Sequence, residues 1–173
     1  EGLIFVHNSL VGFDLRNDIR IFASGKITTG FDIIKRLAMG ADLCYSARGM
    51  MMALGCIQAL KCNTNTCPVG VTTQDPGLMV GLVPEDKSVR VYNFQKNIVK
   101  SACEIMGAMG LENTDDLKPW HLMRRTEAYE IRNYSEIYDF LKPGDLLNEP
   151  LPESYARAVQ ASKAESFNDV HPS

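Results

Sequence analysis

The chain has 173 residues, 45% of them hydrophobic and 23% charged, which suits one packed domain and excludes a compositionally disordered protein. Its 18 basic and 21 acidic residues give a formal net charge of −3, so we expect neither a nucleic-acid nor a membrane partner. There is no apolar run near the ~20 residues of a spanning helix, and the first residues lack the basic start of a signal peptide. We therefore expect a soluble, cytoplasmic protein.

The first half of the sequence alternates between helical and strand patterns. We predict a helix over 2–12, a strand over 18–24, a helix from about residue 30, a strand over 41–46 and a helix from Arg48 to about Leu60. Thr29 and Asp32 fit a capping box at the start of the middle helix, and Gly40 supplies its stop signal. Strand, helix and strand joined by tight loops predict a βαβ unit with parallel strands.

The second half is more densely charged and ends in a Pro-rich tail. Residues 61–86 show little periodicity and are predicted to form a long structured loop, followed by a helix from Lys87 to Met109. Short elements follow Thr114, and we expect Trp120 to be buried against the first half and residues 165–173 to be loosely ordered. We divide the chain into residues 1–86, with the βαβ unit and a cysteine loop, and residues 87–173, with the long helix and helical tail.

Three of the five cysteines, Cys56, Cys62 and Cys67, crowd into one short segment with gaps of five and four residues. Zinc sites favour two-residue gaps and a fourth ligand, often His, whereas the histidines of this chain lie far away in sequence. Irregular backbone supplies the N–H donors that cluster sulfurs need, so the pattern favours an iron–sulfur cluster, and three thiols suit the [3Fe-4S] type. A zinc site and three buried cysteines without metal stay open as alternatives.

A second signal lies where the two predicted strands end, at residues 23–26 and 45–49. Small residues there let backbone N–H groups approach a phosphate, and Lys26 and Arg48 add positive charge. In (β/α)8 barrels, a phosphate site commonly lies in the loops after strands seven and eight. Ordinary strand-to-helix turns with solvated Lys and Arg side chains are the alternative.

Both signals together resemble one family. The residues concerned are 23–32 (ASGKITTGFD), 37–42 (LAMGAD) and 54–76 (LGCIQALKCNTNTCPVGVTTQDP). They are similar to the FMN- and cluster-binding region of glutamate synthase, most of all to the shorter stand-alone FMN-binding glutamate synthase-like proteins. The resemblance spans roughly residues 1–110, and the tail from about residue 111 resembles the C-terminal extension of that family only loosely.

For the fold, the resemblance implies an α/β chain that forms the C-terminal portion of a (β/α)8 TIM barrel. That portion comprises parallel strands seven and eight with their helices, the cysteine loop and a helical C-terminal extension. The implied FMN phosphate contacts are Ser24, Gly25, Lys26, Ser46, Ala47 and Arg48. The implied [3Fe-4S] ligands are Cys56, Cys62 and Cys67, and no catalytic residue is assigned.

The implied reaction is the reduction of 2-iminoglutarate, formed from 2-oxoglutarate and ammonia or glutamine-derived ammonia, to L-glutamate by reduced FMN. Electrons would come through the cluster from ferredoxin or an NAD(P)H-oxidising flavoprotein subunit. A complete barrel takes ~250 residues, so its remaining strands must come from another segment or chain. We therefore expect glutamate synthase-like oxidoreductase activity, on CH–NH2 donors, of a longer protein. The alternatives are a non-catalytic iron–sulfur electron-transfer or binding module and an inactive barrel fragment.

Overall fold

A computed structural model describes residues 1–165 of the chain, and the expectation of loose order at 165–173 lies outside these residues except at 165 itself. The fold is a small mixture of helices and strands. The helices are α1 (Gly2–Gly12), α2 (Gly30–Ala38), α3 (Arg48–Ala53), α4 (Pro76–Met79), α5 (Pro84–Ala108), α6 (Tyr134–Ile137) and α7 (Glu153–Ala161). The strands are β1 (Phe22–Ala23), β2 (Leu43–Cys44), β3 (Met123–Arg125) and β4 (Ile131–Asn133), and two 3-10 turns cover Thr114–Asp116 and Pro119–His121.

The predicted βαβ unit is confirmed. β1 and β2 pair in parallel, with Phe22 opposite Leu43 and Ala23 opposite Cys44, and α2 connects them. The predicted capping box at the start of α2 is also present, because Thr29 Oγ1 accepts from the Asp32 backbone N–H at 3.2 Å. Both strands are shorter than predicted, since each has only one strand neighbour within residues 1–165 and the flanking residues make no ladder.

The hydrophobic core lies between α1, α2, α5 and the segment after α5. Its buried members are Ile4, Ile34, Ala38, Met39, Ala102, Met106, Leu117 and Leu122. Of the described elements, α2 and α5 pack against each other most extensively. They approach closely at Gly30, where a Cβ atom would lie 2.4 Å from the backbone nitrogen of Ala102. This contact requires glycine and fixes α2, and with it the loops at both of its ends, against the long helix.

The tail folds back onto α1 through one buried polar side chain. Asn8 is 1% exposed, and its Nδ2 donates to the Asp139 carbonyl and to the Tyr155 hydroxyl, both at 2.7 Å. Its Oδ1 accepts from the Leu141 backbone N–H at 3.3 Å, and Phe5 stacks on Tyr155 with ring centroids 5.3 Å apart. The tail is therefore packed against the first helix, and the division at residue 86 stays a prediction.

Three predictions about local structure were wrong. The helix that begins at Arg48 ends at Ala53 rather than near Leu60, because Gly55 and Leu60 both have positive φ and break the helical turn. The predicted loop over 61–86 contains α4, whose start is capped by Asp75, and the first residues of α5.

Trp120 was predicted to be buried and is 56% exposed. It lies in the second 3-10 turn, where its ring centroid is 5.7 Å from that of His121, and it borders a large open cavity. Across residues 1–165, none of the helices combines the length and the apolar character required to cross a bilayer.

Candidate functional site

The structure brings the two strand-end loops together at one edge of the β1–β2 pair. Because the strands are parallel, residues 24–26 and 46–48 leave the sheet on the same side. Ser46 Oγ donates to the Ile27 carbonyl at 2.6 Å and so ties the second loop to the first. Ser24 Oγ donates to the Tyr45 carbonyl at 3.4 Å. Both predicted serines thus donate hydrogen bonds within the loops, and a binding role for Gly25, Lys26, Ala47 and Arg48 stays a prediction.

The turn after β1 has an unusual backbone conformation. Gly25 has φ +105° and Lys26 has φ +53°, so two consecutive residues are left-handed. Only glycine adopts the first of these values readily, and a lysine in the second is disfavoured by its Cβ atom. A Cβ atom on Gly25 would meet no atom of the described residues within 4 Å, so the turn borders open space. Arg36 of α2 donates from Nη2 to the Gly25 carbonyl at 3.0 Å and supports the turn from behind.

The starts of the two helices beside these loops differ in charge. Asp32 accepts from the backbone N–H groups of Thr28 and Thr29 at 3.2 and 3.1 Å, so a carboxylate already occupies the positive end of α2. Partial burial raises the pKa of Asp32, but these hydrogen bonds and the nearby Lys35 outweigh it and hold the pKa below its usual value. Within the described part of the chain, no side chain caps the first turn of α3. An anion at this edge would therefore meet Lys26 and Arg48 rather than α2.

The three clustered cysteines line one narrow cavity beside α3. Its other walls include Met51, Ile57, Val69, Val71 and Thr72. Cys67 is 8% exposed, Cys56 is half-buried and Cys62 is exposed. The folded chain thus brings to one place the three thiols that the sequence singled out, with one deep inside and one at the surface.

Backbone N–H groups lie near two of the three sulfur atoms, those of Cys67 and Cys56. The backbone N–H groups of Thr72, Val69 and Val71 lie close to the Cys67 sulfur and lower the pKa of this thiol to about 7, the Thr72 group most strongly, although burial opposes the shift. The Gln58 N–H donates to Cys56 Sγ at 3.4 Å. The Thr72 hydroxyl also lies near the Cys67 sulfur, but without hydrogen-bond geometry, so its buried Oγ1 has no partner among the described residues. These surroundings stabilise thiolate sulfur.

The segment between the cysteines is held by Asn65, a residue that the sequence did not single out. Asn65 has φ +59°, its Oδ1 accepts from the Gln74 N–H at 2.7 Å, and its carbonyl accepts from Thr73 Oγ1 at 2.6 Å. These bonds tie residues 62–67 to residues 73–74.

In residues 1–165, no three His, Cys, Asp or Glu side chains form a site for a single metal ion. A cluster differs from a single ion in this respect, since each thiolate binds a separate iron at the periphery of a larger core.

A cluster of polar side chains around Asp42 lies at the opposite edge of the β1–β2 pair, where the strands begin. The sequence analysis did not single out these residues. Asp42 accepts from Arg16 at 2.8 Å, from Arg20 at 3.3 Å and from the Ile21 N–H at 2.6 Å. Partial burial raises the pKa of Asp42, but the Ile21 N–H and the Arg16 guanidinium outweigh it and keep the pKa below its usual value. The His7 imidazole accepts a hydrogen bond from Arg16 Nε at 3.2 Å. Burial lowers the pKa of this imidazole, and the positive charge of Arg16 lowers it further.

This group borders a large open cavity of about 710 Å³, which lies between the start of β2 and residues 114–120. The cavity is at the edge where the strands begin, away from the cysteines and from the strand-end loops. Three of its charged wall residues, Arg16, Arg20 and Asp42, are paired with one another, so we assign these side chains to folding rather than to chemistry.

Comparison with known proteins places the chain in a family. Residues 1–112 match the sequence profile described as the conserved region in glutamate synthase. The match covers the βαβ unit, both strand-end loops, the cysteine segment and all of α5. The chain therefore belongs to the glutamate synthase family.

Similar proteins come from bacteria, archaea and plants. The chain is 39% identical over 136 residues to the glutamate synthase large subunit-like protein YerD of Bacillus subtilis. It is 39% identical over 104 residues to an archaeal NADPH glutamate synthase of Methanocaldococcus jannaschii, and 30% identical over 172 residues to ferredoxin-dependent glutamate synthase 2, chloroplastic, of Arabidopsis thaliana. These alignments cover 79%, 60% and 98% of this chain, but only 26%, 20% and 10% of the relatives. The chain thus spans about a quarter or less of their length.

Proposed function

We propose that this chain forms the C-terminal part of an FMN-binding (β/α)8 barrel in a glutamate synthase-type oxidoreductase. In this proposal β1 and β2 are strands seven and eight, and residues 1–86 hold the last barrel units and the cysteine loop. Residues 87–173 hold all of α5 except its first turn, together with the helical tail. The complete protein would reduce 2-iminoglutarate, formed from 2-oxoglutarate and ammonia, to L-glutamate. The observation that carries the proposal is the convergence of Cys56, Cys62 and Cys67 on one cavity beside α3.

The barrel assignment is supported by an exposed apolar face on the β1–β2 pair. Phe22, Leu43 and Tyr45 are 49%, 53% and 60% exposed on that face, and Phe22 stacks on Tyr45 with ring centroids 5.4 Å apart. Parallel sheets in proteins are covered on both faces, and a two-stranded sheet with open edges is not stable alone. We infer that further barrel strands, from another segment or chain, cover this face and both edges.

The FMN assignment is supported by the fit of the strand-end loops to a phosphate group. Lys26 and Arg48 are exposed at the edge where Gly25 borders open space, and Ala47 places no side chain over the first N–H groups of α3. A phosphate monoester requires such positive charge and free N–H donors. Ser24 and Ser46 hold the two loops in register, and Gly49 is required for their close packing, since its Cβ atom would lie 2.7 Å from Ser46 Oγ.

The cluster assignment is supported by the chemistry of the donor set. Three thiols, one of them with a pKa of about 7, offer thiolate ligands near neutral pH. The N–H groups near Cys67 and Cys56 are the kind of donor that tunes cluster sulfur ligands, and most of the other cavity walls are apolar. The residues present therefore fit a [3Fe-4S] cluster held by Cys56, Cys62 and Cys67.

When bound, the cluster supplies single electrons and FMN supplies hydride chemistry. The strand-end loops of this chain would hold the phosphate end of the flavin, and Cys56, Cys62 and Cys67 would supply the thiolate ligands. The helix α3, which lies between them, would set the spacing of the two sites. Similar proteins are named ferredoxin-dependent or NADPH-dependent, so we propose ferredoxin or an NAD(P)H-oxidising flavoprotein as electron donor. The free thiols of the described residues suit a reducing compartment, and we propose the cytoplasm.

The experiment that tests the proposal is analysis of the full-length protein after anaerobic purification. We expect about three irons and about four acid-labile sulfides, and about one FMN, per chain. Ammonia-dependent formation of glutamate from 2-oxoglutarate with reduced flavin distinguishes the enzyme from a non-catalytic electron-transfer module. A colourless protein without iron would contradict the cluster assignment.

The phosphate site is tested separately with two charge-removing variants. Lys26→Ala and Arg48→Ala should weaken FMN retention on dilution, because each removes a cation from the loops. Lys100→Ala, which removes a cation from the exposed face of α5, is the matched control. Flavin content that stays at one per chain in the double variant would show that the phosphate lies elsewhere.

A further inference from the structure

The turn after β1 is supported by Arg36, a residue outside both strand-end loops. Arg36 lies near the end of α2, which runs back along β1. Helical side chains tilt toward the helix N-terminus, so this long side chain extends toward the strand-end edge, where its Nη2 donates to the Gly25 carbonyl at 3.0 Å.

This hydrogen bond fixes the orientation of one peptide group. In a trans peptide, the carbonyl of one residue and the N–H of the next point in opposite directions. Since Arg36 draws the Gly25 carbonyl toward α2, the Lys26 N–H points away from α2. Within the part of the chain that the structure describes, that N–H makes no hydrogen bond to another backbone group. If this peptide were flipped, the Gly25 carbonyl oxygen would take the place of the Lys26 N–H and would repel an anion.

The turn needs such support because of its own conformation. Gly25 and Lys26 are both left-handed, and the flexibility of glycine leaves other arrangements of this peptide open. We propose that Arg36 is a positioning residue for the phosphate site: it holds the Gly25–Lys26 peptide so that its N–H, together with the Lys26 ammonium, faces the phosphate of the flavin. This inference rests on the proposed function.

The test compares FMN with riboflavin, which has the same ring system and lacks the phosphate. Both are titrated into the flavin-free full-length protein, and the dissociation constants are read from quenching of flavin fluorescence. Arg36→Met removes the donor and keeps an unbranched side chain on α2. We expect a rise of about tenfold in the FMN dissociation constant, the size of one lost charge-assisted hydrogen bond, and less than about twofold for riboflavin.

Lys35→Met is the matched control. It removes the same charge from the neighbouring position of α2, where the Lys35 ammonium lies 3.6 Å from Asp32 and no hydrogen bond among the described residues joins it to Gly25 or Lys26. It should leave the ratio of the two dissociation constants within about twofold of the wild type. Arg36→Lys keeps the charge and loses the planar donor, and should shift the ratio by about threefold or more.

Four outcomes would overturn the inference. The first is an unchanged ratio of the FMN and riboflavin dissociation constants in Arg36→Met. The second is an equal loss of FMN affinity in Lys35→Met, which would show that the effect comes from removal of a positive charge alone. If Arg36→Met fails to fold, an unchanged ratio in Arg36→Lys is the third. The fourth is equal binding of both flavins by the wild type, which would remove the phosphate site of the proposed function as well. A preference for FMN that is lost in Lys26→Met and kept in Arg36→Met would remove the positioning role alone.

Discussion

Replacing Asn8 by alanine should release the tail from α1. The substitution removes three hydrogen bonds, two of 2.7 Å to the Asp139 carbonyl and the Tyr155 hydroxyl and one of 3.3 Å from the Leu141 N–H. Each hydrogen bond contributes about 1 kcal/mol net. Because Asn8 is buried, water could not take the place of its amide group beside the three former partners. We expect the free energy of opening of residues 139–155 to fall by about 3 kcal/mol.

Hydrogen–deuterium exchange followed by mass spectrometry measures this change directly in the tail. A loss of about 3 kcal/mol corresponds to exchange roughly 100-fold faster in peptides that cover residues 139–155. Ser9→Ala is the matched control, because the Ser9 hydroxyl donates only to the Phe5 carbonyl of its own helix. Tail exchange in Asn8→Ala that matches the Ser9→Ala rate would refute the reasoning and show that stacking and apolar contacts hold the tail without Asn8.

Three further predictions concern packing, ligation and acid stability. Gly30→Ala should lower the free energy of unfolding by about 1–3 kcal/mol in urea, because the new Cβ meets the α5 backbone at 2.4 Å, whereas Gly107→Ala on the open side of α5 should be neutral or stabilising. Cys62→Ser should reduce the iron content of the anaerobically purified protein, and Cys103→Ser should not; equal iron in both variants would contradict the ligand assignment. The depressed pKa of Asp42 adds stability that is present above its unfolded pKa and lost as pH falls through the folded one. The wild type should therefore exceed Asp42→Asn in unfolding midpoint near pH 6, with the difference shrinking below about pH 4; a constant difference would contradict the linkage.

Local signals made much of the fold predictable. The Thr29–Asp32 capping box and the Gly40 stop bound α2 because these effects act within one or two turns of the chain. The extent of α1 was predicted correctly for the same reason, and the parallel pairing of β1 and β2 followed from the helix that connects them. Strand length was not predictable, since a strand extends only as far as its neighbours pair with it. Trp120 was misplaced because burial depends on distant residues that periodicity does not identify.

The candidate site divides in the same way. The spacing of Cys56, Cys62 and Cys67 and the small residues at the strand ends were visible as patterns, because each occupies one continuous segment. No pattern pointed to Arg36 or Asn65, which act on backbone groups separated from them by several residues or more. Their roles follow from the direction of one side chain and the conformation of one turn.

The amino-acid sequence alone was therefore enough to predict the βαβ unit, the long helix α5, the family, and which thiols and cations are available for chemistry. The tertiary structure decided which of these groups meet, which peptide groups face the strand-end edge and which apolar face stays uncovered. The difference arises from how far apart in the sequence the interacting residues lie. Capping, helical periodicity and turn conformation act between neighbouring residues, whereas a hydrogen bond such as that of Asn8 to Tyr155 exists only after the chain has closed on itself.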